Sequence, residues 1–243
     1  MVRKGKLLSC FYILVGALVS VPFPSAAEST NEISILFVGN SFTFYNNLPT
    51  MITQLAKAGG QKPLAVAMET PGGYTLEQHW KDGKALVAIH SRKWDYVVLQ
   101  EQSRRPVERK DLMFEYGRKF DEAVRLQGGK TLLYLTWAWP TSADQPALTL
   151  AYQELARDLN AQVVPVGIAW NTALQKHPEI GLFAKDNRHP SPAGSYLAAC
   201  VFYAIIYGRS PVGVPFSVPE LSHANTRLLQ ELAHSVVQEN ASK

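Results

Sequence analysis

The sequence predicts an α/β domain, a three-layer α/β/α sandwich around a mostly parallel five-stranded sheet. Two observations carry this. Short apolar runs alternate with helical patterns along most of the 243 residues. Most of those runs are continuously apolar and bounded by turn residues, as strands buried on both faces of a parallel sheet are.

The elements follow in order. Arg3, Lys4 and Lys6 precede an apolar run over 7–21, and Pro22-Phe23-Pro24-Ser25-Ala26-Ala27 then places small residues where a signal peptidase reads. This pattern predicts a secretory signal peptide over 1–27, cleaved after Ala27, with the mature domain over 28–243. The run is shorter than the roughly 20 residues of a spanning helix, so no stable membrane anchor is expected. Leu7-Leu8-Ser9-Cys10 is not read as a lipoprotein box, because its apolar stretch follows the cysteine. Export to the periplasm or the medium is therefore expected.

Strands are predicted at 33–38, 64–70, 96–100, 131–136 and 162–166. Between them Leu48, Met51, Ile52 and Leu55 share one helical face. Met113, Tyr116, Phe120, Ala123 and Val124 share a second, and Tyr152, Leu155 and Leu159 a third. Ser191 followed by Pro192 is an N-cap with proline at the first helical position, and Gly208 can close that helix. Leu228, Leu232 and Val236 line a last helix, and the polar residues after Val237 are expected to fray as a short tail.

A net charge of +4 raises the question of a nucleic-acid partner, but Arg3, Lys4 and Lys6 supply three of those charges and leave with the signal. The remaining basic residues Arg104, Arg105, Arg109, Lys110, Arg118 and Lys119 lie beside Glu101, Glu108 and Asp111, which reads as a mixed, solvated face. No nucleic-acid partner is expected. Two cysteines make no disulfide framework, and Cys200, within an apolar helical stretch, reads as a buried inert thiol. No histidine, cysteine and carboxylate cluster has metal-ligand spacing, so neither metal nor cofactor is expected. A Gly-x-Gly-x-x-Gly turn is missing after the first strand, which argues against a nucleotide-binding domain.

In open parallel sheets ligands gather at the carboxyl ends of the strands. After the first strand stands Gly39-Asn40-Ser41, presenting a serine on a tight turn. After the second stands Pro71-Gly72-Gly73, where the backbone can approach a ligand and Gly73 N–H can donate. After the third stands Gln100-Glu101-Gln102-Ser103, where strand alternation sets both glutamines on one side and Glu101 on the other. Near the end, Asp186 and His189 stand three apart in a turn directly before the Ser191 cap. A carboxylate there can hold imidazole Nδ1–H and leave Nε2 to accept a serine proton. His79, His90, His177, His223 and His234 lack such a partner and read as surface or partly buried residues.

These four blocks together resemble the SGNH, or GDSL-like, hydrolase superfamily, over about 33–211. The resemblance implies a flavodoxin-like sheet and a serine esterase in which Ser41 is the nucleophile, His189 the base and Asp186 its partner. It further implies an oxyanion hole made by the N–H groups of Ser41 and Gly73 and by an amide side chain. The first block reads Gly-Asn-Ser where the family usually has Gly-Asp-Ser. The usual Gly-x-Asn-Asp of the third block is replaced by Val-Leu-Gln-Glu-Gln-Ser. By analogy with the Gln-Gly-Glu-Ser stretch of acetylesterase-like members, Gln100 is the first choice for the amide donor and Gln102 the alternative.

Trp137 and Trp139 follow the fourth strand and should border the crevice, either as a platform for a carbohydrate ester or as loop packing. Tyr45, Asn46 and Asn47 flank the serine. An acyltransferase with the same triad, or a binding module on the same fold, remain the alternatives to a small-acyl esterase.

Overall fold

Turn residues break the chain into the expected strands, and the computed structural model, which describes Met1 and residues 32–241, sets them side by side. In order these are β1 (Ile33–Val38), α1 (Ser41–Phe44), α2 (Leu48–Ala58), β2 (Leu64–Glu69), α3 (Leu76–Asp82), α4 (Lys84–His90), β3 (Tyr96–Leu99), α5 (Arg105–Glu108), α6 (Lys110–Leu126), β4 (Lys130–Tyr134), α7 (Gln145–Leu159), β5 (Gln162–Val164), α8 (Val166–Lys176), α9 (Pro192–Tyr207) and α10 (His223–Ala241). The strands form one parallel sheet in the order β2-β1-β3-β4-β5. The signal-peptide segment and Cys10 lie outside the described residues.

Alternation along the strands divides the core in two. Ile35, Phe37, Val98, Leu132 and Tyr134 face α2, α8, α9 and α10. Leu36, Val38, Val97, Leu99 and Leu133 face α3, α4, α6 and α7. Helix α9 is buried nearly all round, as its almost wholly apolar sequence requires. Ser191 Oγ accepts from Gly194 N at 3.2 Å, and Gly208 ends the helix in the left-handed region at φ 61°. Cys200 lies within it, and burial pushes its thiol up to about 12, as expected of an inert cysteine.

Several boundaries differ from expectation: β2 and β3 end one residue early, at Glu69 and Leu99, and β4 spans Lys130–Tyr134 where 131–136 was expected. β5 stops at Val164 because Pro165 has no N–H to continue the ladder. Residues 238–241 do not leave the fold as a tail: α10 runs on to Ala241, with Asn240 Nδ2 donating to Val236 O at 2.8 Å.

The chain leaves β1 for β2 on one side and returns to β3 on the other. This reversal opens a crevice beyond the carboxyl ends of β1 and β3.

Candidate active site

Ser41 is the first residue of α1, one turn beyond β1. Asn40 caps that helix, its Oδ1 accepting from Phe42 N at 3.1 Å, while its Nδ2 donates to Tyr74 O at 2.9 Å. The turn is pinned from beneath by a buried amide. Gln100 Oε1 accepts from Asn40 N at 2.9 Å and Thr43 Oγ1 at 3.0 Å, and its Nε2 donates to Glu101 O at 2.7 Å. Only glycine fits at 39, since a Cβ there would stand 2.6 Å from Gln100 Oε1.

His189 Nε2 meets Ser41 Oγ at 2.9 Å, and His189 Nδ1 meets Asp186 Oδ2 at 2.5 Å. The other carboxylate oxygen of Asp186 accepts from the backbone N–H groups of Arg188 and His189, each at 3.0 Å. The His189 side-chain hydrogen bond, helped by those two amides, holds the Asp186 carboxyl down to about 2. It is therefore ionised across the neutral range and fixes the tautomer with a proton on Nδ1, leaving Nε2 to accept from the serine. Tyr45 stacks on the His189 ring at 4.0 Å and 6°, and Phe42 meets it edge-on at 5.8 Å.

A crevice of about 480 Å³ lies over Ser41, lined also by Tyr45, Gly73, Gln102, Trp139 and His189. Gly73 is in the left-handed region at φ 74°, where glycine carries no Cβ penalty. No hydrogen bond among the described residues uses the N–H of Ser41 or Gly73. Both are thus available to a ligand in the crevice.

Several expectations require correction. Gln100, the first choice for the amide donor, is 0% exposed and does not line the crevice. Its carbonyl and its amino group are both engaged by the protein itself. Gln102, the alternative, does line the crevice: its Oε1 accepts from Arg104 N and Arg105 N, while its Nε2 makes only a long 3.4 Å contact to Ser103 Oγ. Trp137 is 1% exposed, stacked against Phe42 and Trp170 at 4.6 and 3.8 Å, so it packs the loop and does not line the crevice. Trp139 lines the crevice.

Glu101 is not on a solvated face either. It is 1% exposed, and its Oε1 accepts from Leu76 N at 3.2 Å and Gln102 N at 2.7 Å. Burial raises its carboxyl to about 7.

Two positioning roles, of His79 and Asn46, escaped the sequence reading. His79 is 1% exposed, not superficial, and its Nε2–H donates to Gly39 O at 2.6 Å, supporting the turn that carries Ser41. Its spacing of three from buried Leu76 on α3 was the available signal. Asn46, in the left-handed region at φ 51°, donates through Nδ2 to Pro190 O at 3.0 Å and Ser195 Oγ at 2.9 Å. It thereby joins the serine segment to the Asp186–His189 loop. Asn47, also at φ 51°, turns the chain into α2.

Among the described residues, no three histidine, cysteine, aspartate or glutamate side chains are gathered as a metal site. No helix among them is long and apolar enough to cross a membrane.

No family model and no curated protein matches the chain. Solved structures do. One is a protein assigned as an SGNH hydrolase from Slackia heliotrinireducens, 28% identical, covering 72% of this chain and 100% of its own, with a TM-score of 0.62. A DUF4886 family protein from Bacteroides uniformis is 20% identical over 86% of this chain and 95% of its own, with a TM-score of 0.68. Axe2, an acetylxylan esterase from Geobacillus stearothermophilus, is 18% identical over 73% of this chain and 96% of its own, with a TM-score of 0.60. The chain thus has the fold of the SGNH, or GDSL-like, hydrolase superfamily.

Proposed function

We propose that this protein is a serine esterase that hydrolyses carboxylic esters through an acyl-enzyme. The observation that carries the proposal is the continuous hydrogen-bond chain from Ser41 Oγ through His189 to Asp186, opening on a crevice. Ser41 Oγ attacks the ester carbonyl carbon while His189 Nε2 takes its proton. The negative charge that develops on the carbonyl oxygen is met by the N–H groups of Ser41 and Gly73 and by the Gln102 amide, which replaces Gln100 in this role. The carbon–oxygen bond to the alcohol breaks as His189 returns the proton to the leaving oxygen. Water then attacks the acyl-Ser41, with His189 again the base, and releases the acid and free serine.

Small acyl groups on a carbohydrate are the proposed substrates. The open crevice, with Tyr45 and Trp139 on its walls, supports this, as does similarity in fold to an acetylxylan esterase. Export to the periplasm or the medium is part of the same proposal and rests on the basic, apolar and small-residue order of 1–27.

A fluorophosphonate probe tests the nucleophile. It should label Ser41 in the wild type and fail on Ser41→Ala. Turnover of 4-nitrophenyl acetate should vanish with the label, and full turnover in Ser41→Ala would defeat the assignment. A panel of acetylated sugars against longer acyl esters then tests the substrate class.

A further inference from the structure

Arg188 has no part in the chemistry above, yet it is built into the site. It stands directly before His189, and both line the crevice. Its backbone is fixed on both sides: Arg188 N donates to Asp186 Oδ1 at 3.0 Å, and Arg188 O accepts from Trp137 Nε1 at 3.1 Å. From that anchored backbone the side chain lies over the Trp139 ring, with Cζ 4.7 Å from its centroid. Arg104 approaches the same indole at 5.2 Å, but Glu108 already neutralises it through a 2.6 Å bond from Nε. Arg188 makes no ion pair among the described residues, and the lining of the crevice holds no carboxylate. The only other carboxylate nearby on its loop, Asp186, is occupied by His189 and two amides.

A guanidinium propped on an aromatic face, unneutralised, beside the catalytic base is a ready partner for an oxyanion, which its planar fork can hold by two bonds. We propose that Arg188 selects esters whose alcohol portion carries an anionic group, with a carboxylate as the simplest case. This deepens the esterase reading and rests on it. The alcohol portion is the side concerned because the leaving oxygen must collect its proton from His189 Nε2. The alcohol therefore lies along the wall that His189 shares with Arg188. Gly73 and Gln102, the donors to the carbonyl oxygen, come from the loops after β2 and β3 instead.

The test compares 4-acetoxybenzoate with the neutral 4-acetoxybenzamide, each kcat/KM divided by the ester's own hydroxide-catalysed rate. The wild type should favour the benzoate by about fivefold, the size expected of a solvated ion pair. The ratio should fall towards one in Arg188→Gln, be partly kept in Arg188→Lys, and shrink as salt is raised. An equal ratio in wild type and Arg188→Gln, with both esters cleaved, overturns the role of Arg188 and leaves the esterase reading standing. Cleavage of neither ester by the wild type, with Ser41 unlabelled by a fluorophosphonate, overturns the esterase reading and this proposal with it.

Discussion

Glu101 should make the stability of this fold depend on pH in a direction opposite to that of an ordinary ion-paired carboxylate. The group is 1% exposed, and burial raises its carboxyl from the usual 4.5 to about 7. The folded chain therefore holds this proton more tightly than the unfolded chain does. Its contribution to stability is fully present below 4.5 and is lost as pH rises through 7. At about 1.36 kcal/mol per pH unit, the ionised form costs about 3 kcal/mol once pH is well above 7. Glu101→Gln removes the ionisation and keeps an oxygen to accept from Leu76 N and Gln102 N. The amide brings new N–H donors into a buried place, but that penalty is the same at every pH. The comparison to make is urea unfolding of wild type and Glu101→Gln at about pH 5 and about pH 9. The variant should gain about 2–3 kcal/mol on the wild type between the two. An offset that is equal at both pH values would refute the argument that burial outweighs the two backbone hydrogen bonds to Glu101 and raises its carboxyl.

The remaining expectations concern the site. Ser41→Ala and His189→Ala should each lower kcat by at least about 10⁴-fold with the urea midpoint unchanged. Gln102→Ala should lower kcat on an aryl acetate by about 10²–10³-fold, the usual loss for one oxyanion donor. Gln100→Ala should instead destabilise the fold by about 1–3 kcal/mol, read by urea unfolding, because Asn40 N is left buried without an acceptor. Asp186→Asn should lower kcat by about 10⁴-fold, and the wild-type profile should show no limb from Asp186 between about pH 4 and pH 9, since that carboxyl is held down to about 2.

The sheet was legible because parallel strands buried on both faces leave continuous apolar runs, which few other structures do. Ser41, Asp186 and His189 were legible for a different reason. A serine after a buried strand and an Asp-x-x-His before a helix cap are local patterns whose geometry needs little from the rest of the chain. The proposed amide donor was not local. Extending strand alternation through Gln102 assumed that the strand continues, but β3 ends at Leu99 and the chain then turns. Parity beyond that point no longer says which way a side chain faces. His79 was hidden because its partner is the backbone carbonyl of Gly39, an atom that every residue possesses and that leaves no trace in sequence.

The two halves of the triad are held by different physics. The nucleophile turn rests on buried polar groups: Gln100 beneath Asn40 and Thr43, and His79 against the Gly39 carbonyl. In a site of low dielectric such bonds are strong and an unmet one is costly, so the turn has one arrangement and glycine at 39 is the condition for it. The Asp186–His189 loop is more exposed; it closes on itself through Ala184 N to the His189 carbonyl and is tied to the serine segment and the loop after β4 by Asn46 to the Pro190 carbonyl and Trp137 Nε1 to the Arg188 carbonyl. Those ties run to the fully buried Trp137 stack and to the segment that follows Ser41. The base is thus located relative to the nucleophile by the same short stretch of chain, 41–46, that carries the serine. A change that loosens Asn46 should therefore lengthen the Ser41–His189 contact and lower kcat, even though Asn46 does not line the crevice.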